Sequence, residues 1–295
     1  MRFAWFRPAV STTPPAGRAE AAGPADDTAL LLRALAARHT IDVIDERRAH
    51  DFVWQYARNP HELCVYELGG TPAHQFAAAY AVHFPGIVIL RGLPRHDHAL
   101  RAARLVVVPH EPVAQAIADD VPGARVRTLT PGVEPLSGDA DMVINALRWP
   151  PDGGALTYAM AGLAAGRAVI VFDGPETADW PSLDPQTWEP RAPLPGREPI
   201  CVSVDPRDEA HSLRLARRRL GDDPALRARL GAAATAWWRE HATVRLASEG
   251  FEHLLAEARA LPKGLVDADD WSSTARRVLD DFGMTPGSRG LGPLS

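Results

Sequence analysis

Short apolar runs alternate with amphipathic stretches along most of this chain, and the spacing predicts strands separated by helices. Arg2 to Phe6 reads as an apolar strand that ends before Pro8. The Pro/Gly/Ala/Ser-rich stretch Val10 to Ala25 then reads as a long loop, of the kind that often covers a ligand. Asp26 or Asp27 caps a helix running to about Arg38 through Leu30, Leu31, Leu32 and Leu35, and Thr40 to Asp45 is the next strand. A short helix over Phe52 to Ala57 leads to a third strand, Leu63 to Leu68. An Ala-rich helix from about Pro72 to His83 leads to a fourth, Ile87 to Leu90. Leu105 to Val108, a helix over Glu111 to Asp119 and Arg125 to Leu129 complete the series. Sustained β-α-β alternation implies a parallel, doubly wound sheet with helices on both faces.

Thr130 to Asp139 (TPGVEPLSGD) has the composition of an interdomain linker. A second unit opens with the strand Met142 to Leu147. The stretch LRWPPDGGALTYAMAGLAAGRAVIVFD, Leu147 to Asp173, then reads as strand end, glycine-rich turn, charge-free helix Ala155 to Ala164, a glycine stop at Gly166 and a buried strand, Ala168 to Phe172. Such a loop lies at the carboxyl end of a strand, and the first N–H groups of its helix can meet an anionic group such as a diphosphate. A Pro- and Trp-rich loop spans Gly174 to Pro199 before the strand Ile200 to Val204, giving about three strands in this unit. Helices are expected from about Pro206 to Leu220, Pro224 to His241 and Thr243 to Leu261, and a short one near Thr274 to Phe282 in the tail.

Composition narrows the function classes. A chain of 295 residues, 46% hydrophobic and 23% charged, is long enough for two cores. A formal charge of −5 and a pI near 6.1, with Lys263 the sole lysine, give no basis for nucleic-acid binding. No apolar run reaches the roughly 20 residues that span a bilayer, and MRFAWFRP reads as strand and turn, so the expectation is a cytoplasmic protein. Cys64 and Cys201 sit in apolar runs in different units and read as core residues; no Cys/His spacing suggests a metal site.

Five segments, in order, resemble one family: DFVWQYARNPHELCVYELGG (Asp51 to Gly70), HFPGIVILRG (His83 to Gly92), RVRTLTPGVEP (Arg125 to Pro135), the Leu147 to Asp173 block, and the closing helices with WWREHATVRLASEGFEHLL. Together they are similar to the GT-B glycosyltransferases, specifically family 4, over roughly Met1 to Leu261. The resemblance implies an α/β fold of two Rossmann-like domains with parallel sheets. An acceptor-side domain would span residues 1–134 and a reduced donor-side domain 135–242, with a helix, 243–261, returning to the first domain and a tail, 262–295. It also implies transfer of a sugar from a nucleotide-sugar to a glycan, lipid-linked or secondary-metabolite acceptor, with no cofactor and no metal.

The same resemblance locates candidate residues and departures. Arg148, Gly153 and Gly154 fall on the donor side; Gly69, Gly70, Thr71 and Arg91 face the acceptor-side cleft. Where the family carries His-Asp this chain has Arg91-Gly92, and a guanidinium is no base. The family's donor Glu falls on Gly154, and only Glu134 to Ala140 stand where several βα units usually intervene. His96 and Asp97 are displaced catalytic candidates, with a solvated loop as the other reading. Arg148 can equally pair with Asp152, and the glycines can be simple turns. His74 and His83 read as packing or surface residues, Trp237-Trp238 as helix packing at the domain junction, and Arg217-Arg218-Arg219 as a solvated helix end. These departures leave a second reading open: an inactive relative that binds a sugar or nucleotide, forms a homo-oligomer, or partners a full-length glycosyltransferase.

Overall fold

A computed structural model of the chain describes residues 1–9, 26–69, 72–91, 97–145, 155–191 and 197–262. The first half alternates β1 (Arg2–Phe6), α1 (Asp27–Leu35), β2 (Thr40–Ile44), α2 (Ala49–Arg58), β3 (Leu63–Leu68), α3 (Gln75–His83), β4 (Ile87–Leu90), α4 (Asp97–Ala102), β5 (Leu105–Val108), α5 (Glu111–Asp120) and β6 (Val126–Thr128). All six strands pair in parallel in the order β2-β1-β3-β4-β5-β6.

Because successive side chains leave a strand on opposite faces, the apolar runs supply two cores at once. Phe3, Trp5, Leu63 and Val65 point to one face, and Ala4, Phe6, Cys64 and Tyr66 to the other. On the second face Phe6 stacks on Tyr66 at 4.7 Å between ring centroids and meets Phe52 of α2 edge-on at 4.8 Å. Helix α2 is longer than the expected Phe52 to Ala57, and of its added residues Ala49 is buried in the same core. Asp97 opens a six-residue helix where the sequence suggests loop; Ala99 and Leu100 of that helix are buried against the same core.

The second half contains β7 (Met142–Asn145), α6 (Ala155–Ala164), β8 (Ala168–Phe172), β9 (Ser182–Leu183), β10 (Cys201–Val204), α7 (Glu209–Asp222), α8 (Pro224–His241) and α9 (Val244–Ala260). Its sheet has four parallel strands in the order β7-β8-β10-β9, one more than the three expected. The added strand, β9, lies inside the Pro- and Trp-rich segment read as loop. Two residues give no periodicity to detect, and the strand exists because Cys201 and Val202 of β10 pair with Ser182 and Leu183.

The helix α6 and strand β8 fall where the sequence places them, and Gly166 between them has φ +67, the left-handed conformation that ends a helix. Helix α9 packs back on the first sheet, with the Phe251 ring 5.3 Å from that of Trp5 and His39 2.7 Å from the Glu252 carboxylate. Cys64 and Cys201 are free, buried in separate cores, and burial pushes their thiols up to about 11 and about 12. Among the described residues no helix is long and apolar enough to cross a membrane.

Candidate functional site

The carboxyl ends of both parallel sheets are where such folds hold ligands, since side chains and loops converge there beyond the last backbone pairs. At this edge of the first sheet, Arg7 follows β1, Glu67 lies near the end of β3 and Arg91 follows β4. The Glu67 carboxylate, 6% exposed, accepts a 2.6 Å hydrogen bond from Trp5 Nε1 and lies 3.8 Å from Arg7 Nε and 4.0 Å from Arg91 Nε. Burial raises the Glu67 pKa, and the two arginines offset this in part. Arg91 Nη1 meets Asp27 Oδ2 at 2.5 Å and Nη2 donates to Thr28 Oγ1, while Arg7 pairs with Asp26. Burial opposes the Arg91 charge, but Asp27 and Glu67 outweigh it and its pKa rises.

Arg91 thus stands at this carboxyl edge with its guanidinium occupied in fastening the start of α1 to the ends of β3 and β4. Gly69, just past β3, lies against the His74 ring: a Cβ there would come within 2.9 Å of it, so the ring would have to shift. Gly70, Thr71, Gly92 and His96 lie outside the described residues, as does the side chain of Asp97.

At the same edge of the second sheet is a pocket of about 200 Å³. Asn145 at the end of β7, Phe172 and Asp173 at the end of β8, and Pro206 beyond β10 form its base; the turn Gly174 to Thr177 forms its wall. That turn is built by Thr177, whose hydroxyl donates to the Phe172 carbonyl at 3.0 Å. It is tied to the neighbouring strand by the Asp173 N–H, which donates to Val204 O at 2.8 Å. Glu176 on this turn is half-buried, and desolvation pushes its carboxyl up to about 7. A carboxyl titrating there can hold or release a proton at physiological pH.

Asn145 and Leu156, which flank the segment 146–154, both line this pocket. Arg148, Gly153 and Gly154 belong to that segment and lie outside the described residues. Glu176 is absent from the sequence-derived candidates because a Gly-Pro-Glu turn resembles any solvated turn. The available signal was its place, four residues past Phe172, the last residue of a buried parallel strand. Of the other sequence candidates, Trp238 Nε1 donates to Val133 O at 3.1 Å and so pins the linker to α8. Arg218 and Arg219 make ion pairs with Asp222 and Asp223 at 3.9 and 3.1 Å, on a largely exposed helix end. Among the described residues no group of His, Cys, Asp and Glu could hold a metal ion.

No family model matches this chain, and no curated protein matches it in sequence. Solved structures do. A sucrose-phosphate synthase from Thermosynechococcus elongatus superposes with a TM-score of 0.58 at 12% identity, over 87% of this chain and 98% of that one. A calicheamicin glycosyltransferase gives a TM-score of 0.35 at 13% identity, over 79% of this chain and 90% of that one. At such identity the first likeness establishes architecture: two parallel α/β sheets arranged in the manner of a GT-B glycosyltransferase, with a four-stranded second sheet.

Proposed function

We propose that this protein is a glycosyltransferase that takes a nucleotide-activated sugar at the carboxyl edge of its second sheet. The observation that carries the reading is the pocket there, which combines converging strand ends, the two flanks of segment 146–154 and the Glu176 carboxyl. A nucleotide-sugar needs donors for its diphosphate and acceptors for its hydroxyls. In this reading Arg148 and the backbone at Gly153 and Gly154 meet the diphosphate, and the start of α6 adds the partial positive charge of a helix N-terminus. Glu176 accepts from a ribose or sugar hydroxyl. Its raised pKa suits that place, because a carboxyl that is half protonated near neutrality repels a neighbouring phosphate less than a full charge does.

The likeness of the donor block to family 4 and the GT-B architecture both support this assignment. Incubation of the purified chain with UDP-, GDP- and dTDP-sugars, followed by thermal shift and nucleotide release, tests it. We expect one nucleotide class to raise the melting temperature, and Arg148→Ala and Glu176→Ala each to weaken that binding about tenfold or more, the size of one hydrogen bond involving a charged group. No shift and no release with any donor would reject the reading. A shift without release would point instead to a binding module.

A further inference from the structure

One edge of the second sheet differs from the other sheet edges. In the order β7-β8-β10-β9, strand β7 has β8 as its sole strand partner among the described residues. A strand paired on one side turns part of its backbone N–H and C=O groups outward, where they can template another strand, and proteins ordinarily blunt such an edge with charge, brevity or cover. The remaining edges follow that rule. Strand β2 carries Asp42, held by Arg2 at 2.6 Å and by His61 at 2.7 Å. Strand β6 carries Arg127, paired with Glu257 at 2.7 Å. Strand β9 is two residues long, and the chain folds back on it through an antiparallel bridge between Leu183 and Pro190. Strand β7 reads Met-Val-Ile-Asn, with neither charge nor proline.

Its side chains depart from the pattern of the sheet as well. Parallel strands bury both faces, as β8 and β10 do at every position. Val143 is buried in the core shared with α6, yet its neighbour Ile144, on the opposite face, is 40% exposed. Met142 and Ile144 share that face, and with Leu213 they supply the apolar lining of a groove of about 540 Å³ between β7 and α7. Arg214, Arg217 and Arg218 of α7 line it too, all three exposed, and no carboxylate does. Arg214 Nη2 donates to His211 Nδ1 at 2.9 Å, and Arg218 lies 3.9 Å from Asp222 in a surface pair that binds it weakly. Arg217 has no ion-pair partner among the described residues.

These features restrict the occupant. The strand edge calls for an extended backbone with N–H and C=O groups to exchange, which a lipid surface does not offer. The guanidiniums call for carboxylates. A second copy of this chain would fit the edge but would bring its own three guanidiniums up to it, so like charge opposes that pairing.

We propose that the β7 edge docks an acidic, extended segment of a partner protein, added to the second sheet as a fifth strand, with carboxylates at alternate positions on the side of Arg214, Arg217 and Arg218. Such strand addition draws affinity from main-chain hydrogen bonds and selectivity from alternate side chains. Neighbouring strands lie about 4.8 Å apart, so a side chain of the added strand beside Ile144 stands in the groove and removes that residue from water. This docking surface does not rest on the transferase reading above.

Fluorescence anisotropy on the full chain with three labelled hexapeptides tests the proposal. The first alternates Glu and Val, the second alternates Lys and Val, and the third is the Glu-Val peptide with every backbone nitrogen methylated, which keeps the charges and loses the donors. We expect the Glu-Val peptide to bind with sub-millimolar affinity, at least tenfold tighter than either of the others. Ile144→Lys should weaken it at least tenfold with far-UV circular dichroism unchanged. Arg217→Glu combined with Arg218→Glu, both on an exposed helix surface, should transfer the preference to the Lys-Val peptide. No binding of the Glu-Val peptide, equal binding of its methylated form, or a preference unmoved by the double charge reversal would each overturn the proposal. So would either of two other occupants: a dimer in sedimentation velocity that Ile144→Lys dissociates, which would assign the edge to a second copy, or binding to phosphatidylserine vesicles that the double charge reversal abolishes, which would assign the arginines to a lipid surface.

Discussion

Glu176 and His110 are titratable groups that burial shifts in opposite directions, and the signs make them separable. The Glu176 pKa rises from 4.5 to about 7, so the folded protein holds this proton more tightly than the unfolded chain does. Its contribution to stability is complete below about pH 4.5 and is lost as pH rises through about 7. His110 falls from 6.5 to about 4, so its contribution is present above about pH 6.5 and is lost as pH falls through about 4. Glu176→Gln removes only the first effect. We expect the variant to gain on the parent as pH is raised from 5 to 8, by on the order of 1 kcal/mol once solvent screening of a partly exposed group is allowed for. Paired melting curves across that range check this; parallel curves would show that the carboxyl is not desolvated. None of this was legible in the sequence. A carboxylate after Gly-Pro looks solvated until the ends of β7 and β8 are seen around it, and the guanidinium of Arg91 looks free until Asp27, 64 positions earlier, is found 2.5 Å away.

Among the elements, α8 and the α6–β8 turn approach each other closely, backbone against backbone. A Cβ at Gly231 would fall 2.0 Å from the Gly166 carbonyl oxygen, and backbone cannot swing aside as a side chain can. Gly231→Ala should therefore cost at least the roughly 1–3 kcal/mol typical of overpacking. Gly221→Ala, in α7 with nothing within 4 Å of the added carbon, should gain about 0.5–1 kcal/mol from helix propensity. Urea midpoints of the two variants should move in opposite directions; a shared direction would contradict this packing. Elements with a long apolar or periodic pattern, such as α6, β8 and α8, are recoverable from local sequence. β9 and α4 are not, because two and six residues hold too little pattern.

For the molecule as a whole, α9 is the part that makes the two halves one structure. It leaves α8 at Thr243, whose hydroxyl caps it through the Leu246 N–H, and lays Phe251, Leu254, Leu255 and Ala258 on the first sheet. Phe251→Ala opens a void against Trp5 and should cost about 3–5 kcal/mol. A urea midpoint unchanged by it would mean that α9 does not hold that face. The sequence alone determined the alternation of strands and helices, the parallel two-sheet architecture, the location of Gly166 and the burial of both cysteines. Each of these is set by hydrophobic period and by residues close in the chain. Tertiary structure alone decided that Arg91 is a clamp within the first half, that Glu176 titrates near neutrality, and that Met142, Ile144 and Arg217 share one groove. Those properties depend on desolvation and on partners far apart in sequence, and only the folded backbone brings them together.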